Sequence, residues 1–297
     1  MASLGLIQKK TTMHRITTKL LEAFKTSSMF RLAQRRQAQL YCIGTAKSGT
    51  HSMDALLSSH LRSGHEPESD EIIDVILANA AGRMDDSEVD YYLLLRDRRL
   101  SLELDSSQLN IFLLHKLVQL FPNAKFILTI RDPYSWLDSF INHQLTHSAS
   151  DKWIAFRDFR FRPDLYVHQP EEAVLKDHGL YTVDGYLSYW GWHNRKAIAV
   201  VPEQQLLIVR TDQITEQVDE IAAFAGLPKG RLRKEKSHSF KAPKKLGLLD
   251  RVDQQFLKAK VAEHCGGLVT RFFPELQLTN RSAVPEGEPL TVLQPSV

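Results

Sequence analysis

Sulfur is scarce in this chain. Its two cysteines, Cys42 and Cys265, lie far apart, with no Cys-x-x-Cys pair and no cysteine–histidine cluster at ligand spacing. That excludes a disulfide framework and a structural zinc site, and it fits a reducing cytoplasm. Long apolar runs are missing as well. No stretch reaches the ~18 consecutive apolar residues of a membrane span, and the N-terminal region has no apolar core of the secretory kind. No segment is rich enough in glycine or proline to act as a linker, and no internal repeat is visible. With 297 residues, 43% hydrophobic and 25% charged, the composition is that of a globular protein.

Net charge is also small, but its distribution is uneven. The whole chain carries +3, whereas residues 1–40 hold eight Lys/Arg against Glu22 alone, or +7, which leaves the remainder at −4. Such a segment suits a nucleic-acid arm, weak membrane-surface contact or a helix leading into the first strand. Ile16, Leu20, Leu21 and Phe24 recur at helical spacing, which favours an amphipathic helix packed on the domain. We therefore expect no nucleic-acid partner and at most weak contact with a membrane surface. The chain divides into a basic amphipathic segment (1–37), a single domain (38–275) and an extended or frayed tail (276–297) containing Pro285, Pro289 and Pro295.

Within the domain, short apolar runs alternate with helical patterns. "QLYCIG" reads as a strand ending at Gly44, followed by a loop and a helix with Met53, Leu56 and Leu57 on one face. "SSQLNIFLLHKLVQLF" reads as a helix opened by Ser106 or Ser107. "NAKFILTI" is a strand ending beside Arg131, and "DPYSWLDSFINHQL" offers Asp132 and Pro133 as cap and first turn of the next helix. An aromatic helix in "VDGYLSYWGWHNRKAIAVV", a strand in "QQLLIVRT" and a helix closed by Gly226 and Pro228 follow. This alternation predicts an α/β fold with a mostly parallel sheet covered on both faces.

The loop "GTAKSGTHSM" carries Gly44 and Gly49 at the separation of a phosphate-binding loop. Its lysine, Lys47, precedes the second glycine, and Thr50-His51 stands where a nucleotide triphosphatase places Lys-Ser/Thr. Amides of residues 48–52 at a helix N-terminus would bind an anion, aided by the hydroxyls of Ser48, Thr50 and Ser52. A lysine inside the loop could reach the bridging oxygen beyond the bound phosphate. That suits a donor whose leaving group is a phosphate and whose transferred group carries too little charge to need Mg²⁺.

"AKSGTHSM" resembles the 5′-phosphosulfate loop of sulfotransferases that use 3′-phosphoadenosine 5′-phosphosulfate (PAPS). "IRDPYSWLDSF" is similar to the 3′-phosphate motif of the same family, a strand-end arginine followed eight residues later by a helix serine, here Arg131 and Ser139. The resemblance covers residues 38–275 and suggests a bacterial-type branch acting on small molecules or carbohydrates. It implies a three-layer P-loop fold with about five mostly parallel strands. It also implies PAPS as co-substrate, no metal, Lys47, Ser48, Gly49, Thr50, His51 and Ser52 around the 5′-phosphosulfate, and Arg131 and Ser139 on the 3′-phosphate. Ser52 replaces a tryptophan that many members stack on adenine. "KSHSFKAPKKLG", with Lys236, Lys241, Lys244 and Lys245, is the candidate for the family's basic loop over the 3′-phosphate.

Sulfuryl transfer to a hydroxyl of a small molecule, lipid or glycan needs a base at the carboxyl end of the sheet. Carbohydrate members often place a glutamate about one helix and strand after the loop, and Glu66 lies nineteen residues beyond Lys47. His65 is the neighbouring alternative, its ordinary pKa near 6.5 suiting proton transfer. Asp105, in "LELDSS", is a third, although it could equally cap the following helix. Two rivals remain open: a P-loop kinase using ATP and Mg²⁺ with Asp132 on the metal, and a nucleotide-binding scaffold without a base. The acceptor is the partner to be expected, and the oligomeric state is left open.

Three further features invite chemistry. "HQLTH" sets His143 and His147 one turn apart but has Gln144 where a zinc hydrolase has its glutamate, so these histidines suit the surface or the acceptor pocket. Tyr186, Tyr189, Trp190 and His193 share one face of the aromatic helix, the pattern of a core. "RDFRFRPDLY" reads equally as an acceptor loop, a clamp for an anionic substrate, or a solvated loop with buried aromatics.

Overall fold

Five strands, β1 (Leu40–Cys42), β2 (Ser63–His65), β3 (Leu104–Ser106), β4 (Lys125–Ile130) and β5 (Leu206–Arg210), form one parallel sheet in the order β2-β3-β1-β4-β5. The computed structural model describes Arg36, residues 38–235 and residues 246–276. The basic segment before Arg36, Lys236, Lys241, Lys244 and Lys245, and the tail from residue 277 onward lie outside the described residues. Around the sheet stand α1 (Thr50–Leu57), α2 (Ser69–Ala80), α3 (Asp86–Leu100), α4 (Leu114–Leu120), α5 (Pro133–Thr146), α6 (Asp151–Phe161), α7 (Ala173–Asp177), α8 (Val183–Val200), α9 (Val218–Phe224) and α10 (Gln254–Phe272).

Successive side chains of a strand point to opposite faces, and here both faces are covered. Leu40, Cys42, Ile127, Leu207 and Val209 pack with Met53, Leu56 and Leu57 of α1 and with Val218 and Ile221 of α9. Tyr41, Ile43, Phe126 and Leu128 pack on the other side with residues of α2, α4 and α8. Each fully buried aliphatic or phenyl side chain contributes about 1.5–3 kcal/mol. The aromatic stripe of α8 is core, as its spacing predicted: Tyr186, Tyr189, Trp190 and His193 are each at most 2% exposed. Among the described residues, no helix is long and apolar enough to cross a membrane.

Local signals account for most element starts. Asp132 caps α5 by accepting from the Ser135 amide at 2.9 Å, with Pro133 in the first turn. Two segments depart from the sequence pattern. The helix expected from Ser106 or Ser107 opens instead as a 3-10 turn, Gln108–Ile111, capped by Ser107 Oγ, and continues as α4. The tighter turn returns Asn110 to Asp105, and Gln108 to Glu66, at the end of the sheet. "RDFRFRPDLY" is not wholly a loop: residues up to Phe161 belong to α6, which Ser150 caps and Arg162 ends with a left-handed φ of 50°.

The strand order places the site. After β1 the chain crosses to β2 at one edge, whereas β4 lies on the opposite side of β1, so a crevice opens beyond the carboxyl ends of β1 and β4.

Candidate active site

The loop from Gly44 to Gly49 fills that crevice, and its carbonyls are held by the protein. Thr45 O accepts from the amide and hydroxyl of Ser48 at 3.1 and 2.7 Å. Ala46 O accepts from Trp136 Nε1 at 2.8 Å, Lys47 O from Arg131 Nη1 at 3.1 Å, and Ser48 O from the Thr211 hydroxyl. With four consecutive carbonyls tied down, the polar groups left for a ligand are amides. Helix α1 begins immediately afterwards without a side-chain cap, so the amides of its first turn point into the crevice with the positive end of the helix dipole.

Backbone shape dictates the residues here. A Cβ on Gly44 would lie 2.0 Å from Thr129 Oγ1 and 2.6 Å from Thr129 O, so no other residue fits. Gly49 has φ 110° and Lys47 has φ 66°, a left-handed conformation that is costly for a side chain other than glycine, asparagine or aspartate. The lysine is half-buried; burial first, then the Arg131 charge, holds its pKa below that of an ordinary amine.

Arg131 joins this loop to α5. Besides its bond to Lys47 O, its Nε donates to Ser135 Oγ at 2.8 Å, and Ser135 Oγ in turn donates to Asp132. Ser139 follows one turn later on α5 and is 6% exposed. The Leu246 amide donates to Asn142 Oδ1 at 2.9 Å, so the chain following Lys241 and Lys244 returns to this same helix.

The opposite wall starts at the end of β2. Glu66 sits in a left-handed turn, φ 48°, with its amide bonded to Ser106 O at 2.9 Å. Arg96 holds the turn by donating to Pro67 O at 2.9 Å, and Glu68 pairs with Arg99 at 2.7 Å. Glu66 Oε1 accepts from Gln108 Nε2 at 2.8 Å. Burial raises the Glu66 pKa; Gln108, Arg160 and His51 act in the opposite direction.

His65 lies beside it, with Nε2 3.2 Å from Thr50 Oγ1 and its ring 4.4 Å from that of His51. Burial lowers the pKa of both imidazoles, so at neutral pH they are uncharged. His51 connects the two walls, because both Lys47 and Glu66 act on it electrostatically.

Residues 39–228 match the family described as a sulfotransferase domain, which is more than half of the chain. The chain belongs to the sulfotransferase family. A comparison with curated proteins gives no match. Among solved structures, the chain is similar to a sulfotransferase from Alicyclobacillus acidocaldarius (14% identity, 80% of this chain and 96% of that one, TM-score 0.45). It is also similar to sulfotransferase STF9 from Mycobacterium avium (12%, 85% and 81%, 0.44) and to mouse SULT7A1 complexed with PAP (13%, 85% and 89%, 0.34). The assignment rests on the family match, which supports sulfuryl transfer in general.

Within this sulfotransferase, two expectations require correction. Asp105 is not free to act as a base: Oδ2 accepts from Arg96 at 2.5 Å and Oδ1 from Asn110 at 3.2 Å, and the ion pair is buried. The Ser48 hydroxyl faces inward, on Thr45 O and 3.0 Å from Thr129 Oγ1, and its amide and carbonyl are bonded to Thr45 and Thr211, so Ser48 shapes the loop rather than presenting its hydroxyl to a ligand. Thr50 is 4% exposed and engaged by His65, whereas His51 is exposed on the first turn of α1 and Ser52 half-buried beside it. Asp132, the metal ligand required by a kinase, spends both carboxylate oxygens on Ser135.

Three side chains at the site were not singled out as catalytic from the sequence. His143, on α5, is pushed down to about 4 by burial and by the Lys47 charge, so it stands neutral near the loop. Gln108 and Arg160 form the ceiling over Glu66, Arg160 Nη1 donating to Gln108 Oε1 at 2.7 Å. An arginine four residues after Phe156, on the apolar face of a helix, is the signal that could have revealed Arg160. Elsewhere, Asp184, Glu263 and His264 bring three possible metal ligands within 4.8 Å of one another, but the Lys260 ammonium already lies 2.9 Å from Asp184 Oδ1.

Proposed function

We propose that this sulfotransferase moves the sulfuryl group of PAPS to a hydroxyl of a small molecule, lipid or glycan, with Glu66 as the general base and without a metal. One observation carries this most: a loop with four consecutive carbonyls, Thr45 to Ser48, bonded to the protein, with Lys47 inside it and Arg131 tying it to the helix of Ser139. The uncapped first turn of α1 and the half-buried lysine fit a 5′-phosphosulfate, and Arg131 and Ser139 fit a 3′-phosphate. Lys241 and Lys244 lie just before Leu246, which is anchored on α5, and we assign them to the same phosphate. A mouse relative in structure, SULT7A1, was solved with PAP.

PAPS supplies a sulfuryl group joined to a phosphate leaving group through one bridging oxygen. Lys47 balances the charge that grows on that oxygen, and the amides of α1 hold the phosphate in place. Glu66 takes the acceptor proton. Its burial raises the pKa toward the working range of a base, while Gln108 keeps it oriented. Neutral His65 and His143 line the same space and can hydrogen-bond an acceptor. A cytoplasmic setting accords with Cys42 and Cys265, both buried free thiols. A kinase would need Asp132 and a loop hydroxyl for Mg²⁺, and those groups are engaged by Ser135 and His65.

The test is PAP release from PAPS with a panel of phenols, sterols and sugars. Wild-type protein should transfer to one of these classes, and Glu66→Gln should lower turnover by about 10²–10⁴-fold while leaving PAP affinity intact. Equal turnover by Glu66→Gln would remove Glu66 as the base. No transfer by the wild type to any class would favour a scaffold.

A further inference from the structure

Arg160 is a buried cation with no carboxylate bonded to it among the described residues. It is 4% exposed, and its guanidinium carbon lies 4.6–5.4 Å from the ring centroids of Phe140, Phe156, Phe161 and Tyr189. Its Nε has no hydrogen-bond partner among the described residues. A buried charge of this kind is costly unless something else depends on it. Its Nη1 donates to Gln108 Oε1 at 2.7 Å, and the Tyr189 hydroxyl is a second hydrogen-bonding neighbour. Gln108 is itself 4% exposed and donates from Nε2 to Glu66 Oε1 at 2.8 Å.

The chemistry of these groups fixes the direction of the relay. A guanidinium only donates, so the amide must present its oxygen to Arg160. The other end of the amide is then an N–H group, and it faces Glu66. We propose that Arg160 and Gln108 are positioning residues for the general base: the arginine locks the glutamine amide, and the amide holds Glu66 as an oriented acceptor with its second oxygen left for the substrate hydroxyl. This rests on Glu66 being the base and extends that assignment to two residues that touch neither donor nor acceptor.

The aromatic box serves the same end. Four rings pack around the guanidinium, and a lysine, with its compact ammonium, would not reproduce both those contacts and the bond to the amide. The groups facing Glu66 are His51 from α1, Asp105 from β3, Gln108 from the 3-10 turn and Arg160 from α6, with His65 preceding it on β2. Of these, Gln108, Arg160 and His51 favour the carboxylate, and Asp105 opposes it. Removing Gln108 or Arg160 therefore leaves burial less opposed, and the carboxyl group should bind its proton more readily.

The experiment uses full-length protein labelled with ¹³C at glutamate carboxyl carbons, with Glu66→Gln identifying the Glu66 signal. Its titration midpoint is followed in wild type, Gln108→Met, Arg160→Met and the double variant, beside PAP affinity and the pH profile of turnover. Each single variant should raise the Glu66 midpoint by about one unit and move the acid limb of turnover upward equally. The double variant should raise the midpoint by less than the sum of the two single variants, because part of the effect of Arg160 passes through Gln108 and part is its own charge acting on Glu66. PAP affinity should change less than about twofold. If Arg160→Met misfolds, Gln108→Met alone decides. An unchanged or lowered midpoint, or a loss of turnover equal at all pH values, would overturn the proposal. Full turnover by Glu66→Gln with a raised midpoint in the other variants would instead remove the base assignment, and with it the purpose of the relay.

Discussion

The two walls of the crevice are built in different ways. The wall we propose for the donor, here the donor wall, is one continuous loop and the helix after it, with its partners Arg131, Trp136 and Thr211 placed at strand ends and in the first turn of α5. The wall we propose for the base, here the base wall, is assembled from the turn after β2, a 3-10 segment and α6, whose bonded side chains lie 42 and 52 residues apart in the chain. A phosphate can be held by backbone amides, which any sequence supplies once its glycines are in place. A proton acceptor needs a particular side chain in a particular field, and that field comes from tertiary contacts. The donor wall is thus fixed by local spacing, and the base wall by packing.

Asp105→Asn probes the second wall hardest. Loss of the carboxylate leaves Arg96 buried beside a weaker partner, Glu68 at 3.6 Å, and should cost about 3 kcal/mol in denaturant unfolding. Asp105 raises the Glu66 pKa, so its removal should move the acid limb of turnover to lower pH, opposite to the effect of removing Gln108. A collapse of turnover by the 10²–10⁴-fold typical of a lost base, at unchanged PAP affinity, would show instead that Asp105 takes the proton.

Beneath the donor loop, His193 links the wall to the core. Its Nε2 must donate to Ile43 O, at 2.7 Å, so Nδ1 accepts from Tyr189 Oη at 3.1 Å and the ring is neutral. Burial pushes it down to about 3 from the ordinary 6.5. Because the folded value is depressed, the unfolded state takes up the proton first. Stability is therefore present above pH 6.5 and is lost as pH falls from there toward about 3, by a few kcal/mol. Thermal unfolding across that range should show the loss, and His193→Phe should flatten it while starting from a lower melting temperature. An unaltered slope would mean that other groups, such as His143, carry the acid sensitivity.

Ser48→Ala should have the smallest effect. Losing the bond to Thr45 O should cost about 1 kcal/mol of stability and change PAP affinity little, because the hydroxyl faces away from the crevice. A loss of affinity of tenfold or more would place that hydroxyl on the ligand.

The contrast also explains what could be read from the sequence. Strand alternation gave the parallel sheet, and the spacing of Gly44, Lys47 and Gly49, with Arg131 eight residues before Ser139, pointed to the loop and helix that line one side of the crevice. Glu66 was legible as a residue at the end of a strand. Its partners were not, because Gln108 lies in a turn whose pattern imitates a regular helix, and Arg160 is a charged residue on an apolar face. Asp105 was ambiguous for a related reason: a strand-end carboxylate looks the same whether it meets a substrate or, as here, an arginine nine residues earlier in the chain.

The most direct test of the account is a calorimetric titration with PAP, beside adenosine 5′-phosphate and beside ATP with Mg²⁺, on wild type, Lys47→Ala and Arg131→Ala. Binding of PAP should need no metal and should weaken by about 10–100-fold when the 3′-phosphate or Arg131 is removed, as expected for hydrogen bonds between charged groups. A preference for ATP with Mg²⁺, or indifference to the 3′-phosphate, would contradict it.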